Sequence, residues 1–211
     1  MRSLRDGWIG FALLLAIAGC AEVATPVSLT PPTAGYGPND YPEVLGRWTR
    51  NARVLKQLDT ALDAHATIFS PDFISAYVAR RARIFKLPRE QHWRLEQELL
   101  AQWRDSIPVV VSAATHDRSW NDFHRKNSVW RIALVNDRNE QVDAKEIRQE
   151  PQISATIAEL FPYVDRFSQF YWLRFPRVLP DGRPFLAAEA RQLTLRFAGP
   201  LGLAELTWLL K

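Results

Sequence analysis

The densest group of side chains able to do chemistry lies in THDRSWNDFHRKN, residues 115–127. His116, Asp122 and His124 fall within nine residues there and follow an apolar run. Imidazole and carboxylate groups suit Zn²⁺ or a similar ion, and a loop can turn three such groups toward one point. The spacing matches no established metal motif, and aspartates also favour turns and caps. These three residues are therefore metal-ligand candidates, the alternative being a structural loop held by its two aromatic side chains.

Outside this loop the sequence contains no pattern that marks an enzyme. It has no G-x-S-x-G elbow, no H-E-x-x-H, no C-x-x-C and no glycine-rich phosphate loop. We therefore expect no cofactor and favour a protein that does not catalyse a reaction. A metal-dependent hydrolase centred on His116 and His124 stays open as an alternative.

Charge and composition are those of an ordinary globular protein. The 211 residues include 27 Lys and Arg and 23 Asp and Glu, which gives a formal net charge of +4. The two signs are interspersed and no long basic block occurs, so the excess does not indicate binding to nucleic acid. With 47% hydrophobic residues the chain can fill the core of one domain, with room for a small appended module.

The first twenty residues have the three parts of an export signal. Arg2 and Arg5 supply positive charge, an apolar run covers residues 8–18, and small residues precede Cys20. Eleven apolar residues are too few to cross a bilayer as a helix, which needs about 20. Residues 1–19 are therefore predicted to be a secretory signal peptide.

Cys20, the only cysteine in the chain, makes this prediction more specific. Ile17-Ala18-Gly19-Cys20 resembles the lipobox of bacterial lipoproteins, in which an aliphatic residue and two small residues precede an obligatory cysteine. The resemblance covers only residues 1–20. It implies a diacylglycerol on the Cys20 thiol, peptidase cleavage between Gly19 and Cys20, and acyl chains such as palmitate as the membrane anchor. Because each buried methylene contributes about 0.8 kcal/mol, two or three chains hold a protein stably on a bilayer.

The same resemblance implies a location. In the enterobacterial sorting rule, Asp after the lipidated cysteine retains a lipoprotein at the inner membrane, and the residue here is Ala21. The outer membrane, facing the periplasm, is therefore expected. The alternatives to a lipoprotein are an ordinary cleaved signal peptide with a stray thiol, or an uncleaved anchor.

Residues 20–42 have the composition of a spacer. Five prolines and two glycines lie among Thr, Ser and Ala without apolar periodicity. Proline at this density favours an extended chain of about 3 Å per residue, which predicts a tether of up to about 60–70 Å. The alternative is an arm that lies on the domain, anchored by Tyr36 and Tyr41.

The remaining residues, 43–211, are predicted to form one domain that begins with helices. Apolar residues at three- and four-residue steps predict a first helix over residues 43–66. Ser70 and Pro71 have the types of an N-cap and a first helical residue, so a second helix is expected over residues 72–85.

A third helix is predicted to follow at once. It begins at Pro88, and its inward side chains would be Leu95, Leu99 and Trp103. Residues 43–105 are therefore expected to form a helical layer.

After Asp105 the apolar period changes to two. Alternating or β-branched runs predict strands in IPVVVSAAT, VWRIALV, RFSQFYWLRFP, LTLRF and AELTWLL, with a weaker strand in QVDAKEI and a short helix in ISATIAELF. Long connections without a β-α-β rhythm favour an antiparallel sheet or sandwich over residues 106–211. The predicted fold class is α+β, with about three N-terminal helices packed on this sheet.

The aromatic run RFSQFYWLRFP is the strongest apolar feature. Tyr171, Leu173 and Phe175 share one strand face, and Phe170 and Trp172 share the other. A strand that is apolar on both faces is normally buried between layers. The alternative is an open apolar groove for a lipid or a partner's peptide.

Together these features favour a membrane-anchored envelope protein that acts by contact. Its partners would be the membrane, through the lipid on Cys20, and an unidentified envelope protein to which it is an accessory. One alternative is a carrier that holds a lipid or another apolar ligand between sheet and helices. The other is the metal-dependent hydrolase.

Overall fold

The computed structural model describes residues 25–37 and 39–211. The predicted signal peptide, its cleavage site at Gly19 and the lipid attachment site Cys20 lie outside these residues. The helices are α1 (Tyr41–Trp48), α2 (Pro71–Phe85), α3 (Arg89–Asp105) and α4 (Ala155–Leu160). The strands are β1 (Thr49–Lys56), β2 (Asp59–Ile68), β3 (Ser106–Ala114), β4 (Arg131–Asn136), β5 (Gln141–Asp143), β6 (Glu146–Glu150), β7 (Gln169–Pro176), β8 (Gln192–Gly199) and β9 (Gly202–Leu209).

The strands form two antiparallel sheets that share one core. The first has the order β1-β2-β3-β7-β6 and the second β5-β4-β8-β9. The sheets meet where β1 contacts β9 and again where β5 contacts β7.

Helices cover the outer face of the five-stranded sheet. On β7, the ring of Trp172 is 5.6 Å from that of Phe69, which lies two residues before the start of α2. The next side chain along, Tyr171, lies between the sheets, 4.8 Å from Phe123. Phe123 in turn contacts Phe197 of β8. The predicted α+β class is therefore confirmed.

The helix predicted over residues 43–66 is wrong beyond Trp48. Residues 49–68 form a hairpin of β1 and β2. Leu55 and Leu58, which the helical pattern placed on the apolar stripe, are exposed.

Burial of every second residue, the pattern of a strand, describes this segment. Leu62, Ala64 and Ala66 are fully buried on one face of β2, and Gln57 adopts a φ of 58° in the turn before it. Because β2 pairs with β1 on one edge and β3 on the other, its backbone hydrogen bonds are satisfied without a helix. The helical layer predicted for residues 43–105 is therefore interrupted by two strands.

The second predicted helix is confirmed as α2. The Ser70 hydroxyl accepts a hydrogen bond from the Phe73 N–H at 3.1 Å, and Pro71 is the first helical residue. The side chain and the fixed φ of proline thus start the helix where the sequence indicated.

The third predicted helix is confirmed as α3, which begins at Arg89 after Pro88. Trp103 is buried, whereas Leu95 and Leu99 are only partly buried against the core. Among the described residues, no helix has the length and apolar character needed to span a membrane.

The strands predicted after Asp105 are confirmed as β3, β4, β7, β8 and β9. The weak strand in QVDAKEI divides in two, because β5 pairs with β4 in one sheet and β6 pairs with β7 in the other. The short helix is α4, whose first turn is capped by the Ser154 hydroxyl at 3.2 Å from the Ile157 nitrogen.

The tether predicted over residues 20–42 is not free in its described part. Val27 is buried, and its N–H donates to the Leu209 carbonyl at 2.8 Å. The Tyr36 hydroxyl donates to the carboxylate of Asp72. Contacts at Val27 and Tyr36 therefore hold residues 27–37 on the domain as an arm, which was the alternative to a tether.

Asp72, the second residue of α2, joins this arm to the core. Its carboxylate accepts hydrogen bonds from the Tyr36 hydroxyl and, at 2.7 Å, from Trp48 Nε1. The Arg47 guanidinium lies 4.0 Å away. The Trp48 carbonyl accepts from Trp208 Nε1 at 2.8 Å. One chain of hydrogen bonds therefore links the arm, α2, α1 and β9.

Gly199, at the end of β8, is a position where one methyl group is expected to be costly. A Cβ there would lie 2.0 Å from the carbonyl oxygen of Val129. We expect Gly199→Ala to lower the free energy of unfolding by about 1–3 kcal/mol, because backbone must move to admit the methyl group. Chemical denaturation of the purified protein measures the change.

Gly46→Ala is the matched control. Position 46 lies inside α1, and no atom is within 4 Å of a Cβ placed there. The substitution is expected to raise stability by about 0.5–1 kcal/mol, because alanine loses less backbone freedom in a helix. Equal stabilities for the two variants would contradict the close approach of β8 to residue 129.

Candidate functional site

The three metal-ligand candidates do not converge. His116 and His124 are exposed, and buried Asp122 accepts a hydrogen bond from the Ser128 hydroxyl at 2.7 Å. His116 instead faces Asp59, with Nδ1 and Oδ1 3.8 Å apart. In the described part of the chain, no three His, Cys, Asp or Glu side chains are placed to hold a metal ion. This geometry offers no support for a metal-dependent hydrolase.

The loop of residues 115–127 instead covers one end of β7. The Asn121 side chain donates to the Ala113 carbonyl at 2.7 Å, and the Tyr171 hydroxyl donates to the Asn121 carbonyl at 2.7 Å. Burial raises the pKa of Tyr171, so the hydroxyl keeps the proton that it donates. With Phe123 packed on Tyr171, the loop has the structural role that its aromatic residues indicated.

β7 is buried for most of its length. Phe170, Tyr171, Leu173 and Phe175 are buried, which matches the position between layers predicted for this strand. Trp172 is half-buried. Its exposed part forms the floor of a cleft.

This inner cleft, of about 230 Å³, lies between α2, α3 and the outer face of β7. Its floor is mainly apolar and is formed by Phe69, Tyr77, Leu99, Trp172 and Leu173. Its rim is polar and includes Arg81, Gln102, Glu146, Arg148 and Arg174.

Two rim arginines are held against the aromatic floor. The Arg148 guanidinium lies 5.8 Å from the centre of the Trp172 ring and donates to Glu150 at 2.9 Å. Arg81 donates to the Tyr77 hydroxyl at 3.1 Å. Burial raises the pKa of Tyr77, so its hydroxyl keeps a proton, for which the described residues provide no acceptor. Arg81 and Tyr77 can therefore both donate to an anion in the cleft.

An outer cleft of about 500 Å³ continues from the inner one, because Glu146 and Arg174 line both. Its other walls are formed by Arg104, Asp105, Ser106, Lys145, Pro176, Arg177 and Val178. We call the two clefts together the β6 groove, because residues of β6 line each of them.

The β6 groove is strongly basic. Two carboxylates, Asp105 and Glu146, line it together with six cations: Arg81, Arg104, Lys145, Arg148, Arg174 and Arg177. Of these six, only Arg148 and Arg174 form ion pairs within the described residues. A concave surface with uncompensated positive charge attracts anionic ligands.

Arg177 fixes one wall of the outer cleft. Its Nη1 donates to the Trp103 carbonyl at 2.7 Å, and its guanidinium lies 4.6 Å from the centre of the Trp103 ring. Burial lowers the pKa of Arg177. The guanidinium stays charged at neutral pH, because arginine is effectively always protonated in proteins.

β6 also contributes a strand edge, because β7 is the only strand of the described residues with which it pairs. The outer backbone groups of an edge strand can pair with an extended segment of another protein. The groove thus combines a strand edge, an aromatic floor and an excess of cations.

A second, more apolar cleft of about 460 Å³ lies between α1 and the region of α4. Its walls include Tyr41, Pro42, Leu45, Ala158, Pro162 and Tyr163. Small-molecule sites in proteins commonly measure about 300–1,000 Å³. This cleft is therefore where an apolar ligand would fit by size.

Comparison with known proteins found no match for this chain among protein-family models, curated proteins or solved structures. The fold and the groove alone define the class of protein, which is an α+β domain of two antiparallel sheets with a basic groove.

Sequence reasoning missed the β6 groove. Its cations come from α2, from the end of α3, from β6 and from the end of β7, so no local pattern joins them. One signal was present, because charged residues alternate along EIRQE, which begins at the end of the weak strand predicted in QVDAKEI. Charges of this kind are typical of an exposed edge strand.

Arg177→Ala removes both contacts with Trp103. We expect the free energy of unfolding to fall by about 1.5–3 kcal/mol, the range for a hydrogen bond from a charged group. Chemical denaturation measures this change, and hydrogen exchange should accelerate in the last turn of α3. Arg177→Lys keeps the charge without the planar stack and should recover only part of the loss. A fully stable Arg177→Ala protein would contradict this role.

Proposed function

We propose that this protein is a lipid-anchored component of the bacterial cell envelope, held at the outer membrane through Cys20 and facing the periplasm. We propose further that it binds an acidic segment of another envelope protein in the β6 groove, without catalysing a reaction. One observation carries this second part. Within the described residues, the groove places cations that form no ion pair beside a strand edge that pairs with no further strand.

The anchoring part of the proposal rests on the lipobox resemblance at residues 17–20. Cys20 precedes buried Val27 by seven positions. A fully extended chain of that length spans at most about 25 Å. The proposed anchor would therefore hold the domain close to the bilayer, well short of the reach of about 60–70 Å that a free spacer over residues 20–42 predicted.

The binding part rests on charge and shape. A partner strand added to β6 would gain backbone hydrogen bonds, and its acidic side chains would face Arg104, Lys145 and Arg174. An apolar or aromatic residue of that segment would reach the floor at Trp172. Electrostatic complementarity of this kind speeds association and selects acidic partners, and it weakens as salt rises.

Cys20→Ala tests the anchor. The variant is expected to keep the signal peptide and to carry no acyl chains, because the thiol that carries the lipid is absent. The mass of the purified protein measures both effects, and fractionation of cells reports where the protein lies. A Cys20→Ala protein of mature size that still fractionates with membranes would contradict lipid attachment.

Arg104→Glu/Lys145→Glu tests the groove in cells that carry a photo-crosslinking residue at position 178. Both substituted side chains are exposed, so the fold should be unaffected. We expect the crosslinked partner adduct to fall about tenfold, which corresponds to about 1.4 kcal/mol. Densitometry of the adduct after photolysis measures the loss.

Lys86→Glu/Arg89→Glu is the matched control, because it makes the same change of charge at the other end of α3. It should leave the adduct unchanged. Equal loss in both double variants would indicate an effect of net charge alone and would contradict binding in the β6 groove.

The apolar cleft beside α1 favours one second candidate, a carrier of a lipid or another apolar ligand. Native mass spectrometry of the gently purified protein distinguishes the two functions. A bound hydrophobic molecule favours the carrier, and the bare mass of the protein together with a cell crosslink favours the groove.

A further inference from the structure

Several turns meet at one end of the two sheets. The β1–β2 turn contacts the loop of residues 115–130, since the His116 N–H donates to the Thr60 carbonyl at 2.9 Å. The same turn contacts the β8–β9 turn, because Lys56 Nζ donates to the Pro200 carbonyl at 3.3 Å. These contacts bring turns of both sheets together.

The segment before β7 reaches the same end, because Gln169 at the start of β7 pairs with Ala113 near the end of β3. Eight large apolar side chains are exposed in the described residues, and four of them belong to this end. They are Leu55 (66% exposed), Leu58 (100%), Phe167 (61%) and Leu203 (57%). We call this end, with its cations, the tip surface.

The cations of the tip surface are available to a partner. Arg118, Arg125, Lys126 and Arg166 form no ion pair within the described residues. Arg166 lies 4.7 Å from the centre of the Phe167 ring, so one cation and one exposed aromatic side chain already form a pair.

Carboxylates at the tip surface are engaged within their own loops. Asp117 accepts the Ser119 N–H at 2.8 Å, and Asp165 accepts the Phe167 N–H at 2.8 Å. Asp59 faces His116, and Asp122 is buried against Ser128. Asp59, Asp117 and Asp165 remain exposed, but the four cations and Lys56 outnumber them, so the exposed charge at this end is net positive.

We infer that the tip surface rests on an anionic phospholipid bilayer. Leucine and phenylalanine side chains on protruding turns can enter the boundary between headgroups and acyl chains. Lysine and arginine beside them can stay at the level of the phosphates, because their long apolar stems allow the charge to remain in the polar layer. A folded protein partner would instead need a complementary concave surface for four separated turns.

This inference rests on the proposed function, which places the chain on a membrane, and it adds the face that meets the lipid. The chain between Cys20 and Val27 spans at most about 25 Å, and the eight residues of β9 span about as much. A lipid on Cys20 can therefore lie in the same bilayer as the tip surface. The outer cleft of the β6 groove lies at the opposite end of β7, and it would face away from the lipid.

The test uses the full lipidated chain in vesicles of phosphatidylcholine and phosphatidylglycerol. A fluorophore is attached through Leu58→Cys, because the lipid on Cys20 leaves no other thiol. Nitroxide groups on the lipid acyl chains then quench a fluorophore that enters the bilayer. The matched control carries the fluorophore through Val178→Cys, also exposed (53%) but at the other end of the sheet.

We expect strong quenching at position 58 and little at position 178. Adding Arg125→Gln/Lys126→Gln should weaken the quenching at position 58, because each cation beside an anionic surface changes partitioning about fivefold. Molar salt should have the same effect, because it shortens the Debye length to about 3 Å.

Equal quenching at the two positions would overturn the inference. So would a discrete protein adduct from a photo-crosslinking residue at position 203 in cells, combined with an unquenched position 58, since the tip surface would then be a protein interface. Flotation and the mass of the Cys20 peptide report on the anchor separately. Lipidated protein that floats without quenching at position 58 overturns the tip surface alone, and unlipidated protein that does not float overturns both.

Discussion

The arrangement of this domain depends on the hydrogen bonds that the buried carboxylate of Asp72 accepts. A buried charge is tolerated only where hydrogen bonds replace the water that it has lost. Tyr36 and Trp48 supply these hydrogen bonds, and the N-terminal turn of α2 adds a favourable dipole. Loss of either donor would leave the carboxylate poorly solvated. The hydrogen bonds to this one side chain therefore hold both the arm, through Tyr36, and α1, through Trp48, in place.

The effect of this carboxylate extends to the second sheet. Trp48 uses its indole N–H for Asp72 and its carbonyl for the indole N–H of Trp208 on β9. The same region is where β1 contacts β9 and closes one corner between the sheets. A polar chain through an otherwise apolar core thus fixes how two sheets and two helices sit together.

Local signals in the sequence correctly predicted the elements that have a capping residue or a clear apolar period. Ser70 and Pro71 start α2 through a hydroxyl and a fixed φ, and the alternation after Asp105 predicts most of the strands. The sequence did not predict the first hairpin, because the apolar residues of 49–68 fit both a helical period and the two-residue period of a strand. Strand pairing between β2 and β3 selects the shorter period, and pairing with a strand some forty residues away is not visible in a local window.

The candidate site was less predictable than the fold. The metal candidates His116 and His124 are near in sequence, but both are exposed and do not converge, because the loop buries Phe123 and Asp122 instead. Conversely, Arg81, Arg148 and Arg174 are far apart in sequence and meet because β6 adds to β7 beneath α2 and α3. Spacing can suggest chemistry within one loop, whereas a groove built from four elements requires the topology.

The pairing of Val27 with Leu210 has a consequence for the order of events during synthesis. The arm pairs with residues 209–211, so its docking must wait until these residues have been made. At about 5–20 residues per second, synthesis of the intervening chain takes roughly 10–40 s. Throughout this delay Pro26, Pro31 and Pro32 lack the N–H groups that a wrong strand pairing would use. The prolines that gave this segment the composition of a spacer thus also hinder its pairing with other strands until β9 has been made.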